Sequence, residues 1–251
     1  MIPSIRLCGL SKVVSLLGTL ILFSCVGCTH YKNMELTDSN TESQYVAVSK
    51  NLNNQWKANL SYLATEGGQS PALELHTLYS DPGSTTPVRH EERFSLGDIT
   101  FVSPVTEGST FLGADYDLSL TAAELERRFS GSSPFSVGLA FGILLMDMDI
   151  KFYELGQDNT QVMSYSKLHP KAGVDLRYAL HSKLSISAYA GRSHDLDEVN
   201  TLQYGLVLAL SPVEWLELSA RAYTFRSIFD GGESSLDIHH NGTALGVKLN
   251  F

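Results

Sequence analysis

Chemistry in this chain would have to come from histidines, carboxylates and hydroxyls. Its three cysteines, Cys8, Cys25 and Cys28, all fall within the first 28 of 251 residues. No disulfide framework or thiolate metal site can therefore form in the body. The eight histidines are His30, His76, His90, His169, His181, His194, His239 and His240. Two groups of them have ligand-like spacing: His239-His240 with Asp237, and His194 with Asp195 and Asp197, both expected on outer loops. Adjacent loop histidines are ordinarily solvated, so neither group is taken as a metal site. A lipid hydrolase would need serine, histidine and an acid to converge. No local signature marks a nucleophile, so no triad is nominated and no enzyme or cofactor is expected. Asp147 and Asp149 sit among Leu145, Met146, Met148 and Ile150 without the glycine-bearing loop that calcium requires. Asn59-Leu60-Ser61 and Asn241-Gly242-Thr243 match the glycosylation pattern, but each lies in or beside an expected strand and is read as chance.

The charges say more, because they alternate with apolar residues. In the last run Thr243, Leu245, Val247, Leu249 and Phe251 share one face, and Ala244, Gly246, Lys248 and Asn250 the other. Ala172, Val174, Leu176, Tyr178 and Leu180 oppose Lys171, Gly173, Asp175, Arg177 and Ala179. Leu216, Leu218, Ala220 and Ala222 oppose Glu217, Ser219, Arg221 and Tyr223. Period two is the strand signature. If the apolar faces meet lipid, then Lys57, Glu126, Arg128, Asp175, Arg177, Glu217, Arg221 and Lys248 face a lumen. Their mixed signs predict a salt-bridged polar core, since enclosed charges pair to offset desolvation. An ion path or small-ligand site along these charges is the functional alternative.

The elements that would carry these faces are hairpins, marked by short turns of Asn, Ser, Gly and Pro. Eight strands are expected, at about 55–65, 115–129, 135–150, 168–180, 183–193, 202–211, 214–226 and 240–251. They would form an antiparallel up-and-down transmembrane β-barrel. Leu73 to Tyr79 and Phe94 to Val102 either extend a surface hairpin or raise the count to ten. Tyr45 to Val48 is placed outside the ring. In Tyr116 to Phe129 the apolar parity switches near Ala122-Ala123, which a β-bulge would repair.

Residues 1–28 have the layout of a signal peptide: Arg6 and Lys12, an apolar run from Val13 to Phe23, then small residues and cysteines. That run is too short for a transmembrane helix, which needs roughly 20 apolar residues. The end of the leader resembles a bacterial lipoprotein signal, in two registers. Leu22-Phe23-Ser24-Cys25 is slightly favoured over Cys25-Val26-Gly27-Cys28, and ordinary cleavage near Gly27 is the alternative. Residues 29–42 read as a polar tether, and 43–251 as the barrel. Without the leader's two bases the chain keeps 16 bases against 27 acids, which argues against a nucleic-acid partner.

Three features favour a membrane barrel over a soluble one. Trp56, Phe129, Phe135, Tyr178, Trp215 and Phe251 cluster near the short turns or the C-terminus, as an interfacial girdle would. The connections at 130–134, 181–182 and 211–213 are short, whereas 66–114, 154–161, 193–201 and 227–239 read as longer outer loops. The ending Ala244-Leu245-Gly246-Val247-Lys248-Leu249-Asn250-Phe251 resembles the C-terminal strand of Gram-negative outer-membrane proteins. That resemblance implies export to the outer membrane, contact with its lipid, and insertion by the barrel assembly machinery. Ser211-Pro212 before Glu214-Trp215-Leu216-Glu217-Leu218, with the terminal Leu249-Asn250-Phe251, is similar in layout to the YfaZ-type small barrels. The lipoprotein-like leader and segment 66–114 depart from them. The expectation is a non-enzymatic outer-membrane barrel with a structural or surface-interaction role. A narrow channel or ligand-binding barrel, and a soluble periplasmic β-barrel lipoprotein, are the alternatives.

Overall fold

A computed structural model describes residues 29–53, 55–80, 88–130, 134–194 and 199–251, and every regular element among them is a strand. The leader, with Cys25 and Cys28, lies outside the described residues, as do Asp195 and Asp197. In chain order the strands are β1 (Thr29–Tyr31), β2 (Met34–Asn51), β3 (Trp56–Ser80), β4 (Val88–Leu96), β5 (Ile99–Val102) and β6 (Gly108–Ser130). They continue as β7 (Phe135–Glu154), β8 (Thr160–His181), β9 (Leu184–His194), β10 (Val199–Val213), β11 (Leu216–Asp230) and β12 (Ser235–Asn250).

The pairings close on themselves. β2 pairs with β3, β3 with β6, then β6 through β12 pair in sequence, and β12 returns to β2. The circuit has nine strands, where the sequence suggested eight or ten. The ninth is β2, containing the Tyr45–Val48 run expected outside the ring. Nine neighbours that alternate in direction must leave one pair parallel, and that pair is β12–β2. The sheet is therefore mixed rather than purely up-and-down. Two backbone bonds, Asn51 N to Phe251 O at 3.0 Å and Phe251 N to Ser49 O at 2.8 Å, fasten the seam at its end. In the proximal part, where β2 pairs with β3 from Gln44–Ala64 to Asn51–Lys57, closure leaves no unpaired edge.

The two ends of the ring differ. At the proximal end short turns join β2–β3, β6–β7, β8–β9 and β10–β11, and the chain terminates there. The distal end holds the chain's entry at Thr29 and the remaining connections. The distal connections are not the long loops expected: β7–β8 spans 155–159 and β11–β12 spans 231–234. Both ends of 66–114 are ring strand, 66–80 in β3 and 108–114 in β6, with Leu73–Tyr79 inside β3 beyond a bulge between Gln69 and Leu73. Phe94–Val102 forms most of the β4–β5 hairpin, turned at Gly97 with φ of 58°, a conformation glycine adopts freely. This hairpin packs over the distal opening, with Phe94, Leu96, Ile99 and Phe101 all buried. Residues 29–42, expected as a tether, belong mainly to β1 and β2, anchored by buried Met34 and Leu36.

Burial inverts along the ring's axis. In proximal β7 the outer residues are Phe135, Val137, Leu139, Phe141, Ile143 and Leu145, and the inner ones Ser136, Gly138, Ala140 and Gly142. Further up the same strand the outer residues become Asp147, Asp149 and Lys151, and the inner ones Leu144, Met146, Met148, Ile150 and Phe152. β12 does the same: Leu245 and Val247 face out below, while Leu236 and Ile238 face in above. The parity switch near Ala122-Ala123 has this cause. β6 pairs continuously with β7 from Leu112 to Ser130, so no bulge intervenes. The side chains keep alternating and their surroundings change.

Candidate lumen site

The proximal interior is built from inward positions of all nine ring strands. Small residues on β7–β9, Ala140, Gly173 and Gly191, line it and leave room. Gly138 and Gly205 instead admit their neighbours: a Cβ at Gly138 would stand 2.7 Å from Glu126 Oε1, and one at Gly205 would stand 2.3 Å from Ala222 O. The result is a cavity of about 190 Å³ inside the ring.

All eight charges expected in a lumen point inward; Glu126, Arg128 and Asp175 form one network, Arg177 and Glu217 a separate pair, and the other three have no ion pair among the described contacts. Arg128 bridges Glu126 and Asp175, the latter at 2.7 Å, and also donates to Ser136 at 3.0 Å. Arg177 reaches Glu217 at 3.3 Å. Lys57 donates to Asn250 Oδ1 at 3.1 Å. Asn59 donates to Glu126 at 3.0 Å and accepts from Ser49 at 2.6 Å. Arg221 lies 3.4 Å from the Tyr45 ring centroid, a cation–π arrangement. Lys248 lines the cavity opposite Glu217 in the β11–β12 register. The expected lumen set lacks Lys171, although it stands on the charged face of its run in the sequence, and Glu124, although it shares its face with Glu126; the two pair at 3.3 Å. It also lacks Tyr189 and Gln203 on the cavity wall.

Above the cavity sits a buried polar knot. His240 Nδ1 meets Tyr116 OH at 2.7 Å, and its Nε2 meets Tyr223 OH and Thr65 Oγ1, each at 3.1 Å. Ser43 links Thr65 and Tyr223 at 3.0 and 2.5 Å. His240 is not on a loop, as expected, but inside β12, fully buried, while Asp237 and His239 point the opposite way. Asp237 instead grips Arg226 with both oxygens and holds its guanidinium's proton more firmly. His194 ends β9 on the outer face. Among the described residues no group of acids, histidines or cysteines is arranged to hold a metal ion.

Beyond the knot the interior is mainly apolar up to the capping hairpin, with Leu36, Leu75, Leu112, Phe225 and Leu236 all but fully buried, and buried hydroxyls there pair with one another, Thr201 with Ser227 and Thr77 with Ser103. The polar core expected throughout the lumen thus occupies only its proximal half.

The six aromatic residues expected at an interface gather on the outer face of the proximal rim. Phe129, Phe135, Tyr178, Trp215 and Phe251 are exposed and Trp56 is half-buried. Phe135 sits directly across from Tyr178. Arg127 lies over both Trp56 and Phe129, at 5.7 and 5.0 Å. On the outside just above the apolar band, Glu66, Asp117 and Asp149 are cross-strand neighbours. Compared with known family models, curated proteins and solved structures, the chain shows no match.

Proposed function

We propose that this chain is a membrane-embedded β-barrel of the outer membrane, non-enzymatic, whose distal half stands clear of the bilayer as a closed, apolar-cored head. The observation that carries this reading is the inversion of burial within single strands. The outward apolar band runs from Phe135 to Leu145 on β7, Leu168 to Leu180 on β8 and Leu202 to Val213 on β10. That matches the roughly 9–11 tilted residues a strand needs to cross a bilayer. β3, β6, β7 and β8 have 20 to 25 residues each, so about half of each strand projects beyond it. A soluble barrel has no reason to turn Leu206, Leu208, Leu245 and Phe141 outward, each about half exposed or more. Tyr62 and Tyr204, exposed at the upper edge of the band, complement the proximal aromatics, as girdles at two interfaces would.

In this reading the short turns face the periplasm, as in known barrels, and the distal head faces outward as an interaction surface. The chain enters at the distal end, so an acyl group on Cys25 or Cys28 would be tethered on that side, beside the 231–234 turn. The test is heat-modifiability of the detergent-extracted outer-membrane fraction. We expect faster migration unboiled than boiled, and absence from the soluble periplasm. A chain recovered in the soluble periplasm with its leader removed would overturn the reading.

A further inference from the structure

We propose that the proximal cavity is a binding site for a small organic acid, a carboxylate carried on a compact apolar body. Four cations line the cavity, Lys171, Arg177, Arg221 and Lys248, and Arg128 and Lys57 stand close by, against four carboxylates, Glu124, Glu126, Asp175 and Glu217. Every one of those carboxylates is already held. Lys171 takes Glu124, Arg128 takes both Glu126 and Asp175, and Arg177 takes Glu217.

Arg221 and Lys248 are left with no ion-pair partner among the described residues. Arg221 has only the Tyr45 face and a long 3.5 Å contact to Ser219. Lys248 is enclosed by the ring with its ammonium toward the cavity, and Lys57 nearby has only the Asn250 amide. Glu217 stands across from Lys248 but is already paired with Arg177, and enclosed cations in surplus are costly; an anion in the open volume would neutralise that surplus.

The shape selects among anions. Leu63, Leu120 and Leu144 line its upper wall and Val207 stands level with Arg221, while Glu126, Asp175, Arg177, Glu217 and Lys248 lie nearer the turns. Apolar walls with a few convergent polar groups are the usual make-up of a small-molecule site. Its volume of about 190 Å³ equals that of some six waters at roughly 30 Å³ each, room for a single small ring or short branched chain. The acid would lie between Lys248 and Arg221, with the body against the leucines. The capping hairpin and the apolar core close the distal route, so the acid enters from the turn side.

This inference rests on the closed ring of the proposed function, and one preparation separates the two. Mature chain refolded into detergent is titrated with benzoate, with benzamidine as the ring of opposite charge, and with chloride and phosphate. We expect saturable benzoate binding, none for benzamidine, and little for the inorganic ions. Lys248→Met and Arg221→Met should each weaken benzoate at least tenfold while the heat-dependent gel shift persists. Absence of benzoate binding, equal binding of benzamidine, equal binding of chloride or phosphate, or unchanged affinity in both variants would overturn it. Benzoate binding by a chain that is soluble and shows no gel shift would keep the acid site and overturn the membrane reading instead.

Discussion

Arg128 holds two carboxylates at once, so it is the residue on which the proximal network depends most. Replacing it with methionine keeps much of the volume but strands Glu126, which is 7% exposed, beside Asp175. Breaking an enclosed pair from one side costs about 3 kcal/mol. We expect Arg128→Met to lower urea resistance by that amount, and Arg128→Met with Glu126→Gln to recover part of it. His240 differs, because its ring joins hydroxyls rather than charges. His240→Leu removes the acceptors or donors facing Tyr116, Tyr223 and Thr65. A loss of about 2 kcal/mol follows from the unsatisfied hydroxyls. Lipid turnover in cells should be unchanged by that variant, as a purely structural knot requires. A changed phospholipid profile on its expression would contradict the structural role.

Strands were legible where the apolar face looks outward. From Leu216 to Ala222, or Thr243 to Phe251, alternation gives both the strand and its facing; the turn expected at 181–182 stands at 182–183, but the one expected at 211–213 stands at 214–215, because Ser211–Val213 continue β10 past an irregularity after Leu210. Above the band the same alternation continues with the faces exchanged. There Ser164, Ser166, Asp147 and Asp149 outside, over Met146, Met148 and Tyr165 inside, read as loop or as a register fault when every apolar face is assumed to meet lipid. That single assumption shortened β3, β6 and β8, turned β2 into a tether and invented a bulge at Ala122-Ala123. The ninth strand was hidden for a further reason: its partner β12 lies about two hundred residues away and runs parallel, so no hairpin signal joins them. The charges were legible because parity alone places them, but their pairing needs the register. The boundary between zones makes a testable contrast. Leu208→Arg puts a cation in the middle of the outer band and should cost about 2–4 kcal/mol of folding into bilayers. Ser164→Arg, on the same outer face but beside Asp149, should cost less than about 1 kcal/mol. Equal costs would mean the band does not meet lipid.

For the whole molecule the question is whether a ring with a polar proximal lumen conducts. A ring of eight strands is just filled by its side chains, and nine leave only the modest cavity seen here. Any path through it must also pass the His240 knot, the apolar layer of Leu36, Leu75, Leu112, Phe225 and Leu236, and the hairpin that buries Phe94 and Phe101. An ion crossing that layer would lose its hydration and find no carbonyl or charge to replace it, a barrier that ordered side chains do not lower. The polar half is therefore a vestibule closed at one end. In planar bilayers we expect no discrete conductance steps from the mature protein. Arg177→Ala and Arg221→Ala should be equally silent, because they enlarge the vestibule without reaching the apolar layer. Steps from the unmodified protein that either variant alters would show a continuous path through the head, and the dry distal core could not then be its resting arrangement in the membrane.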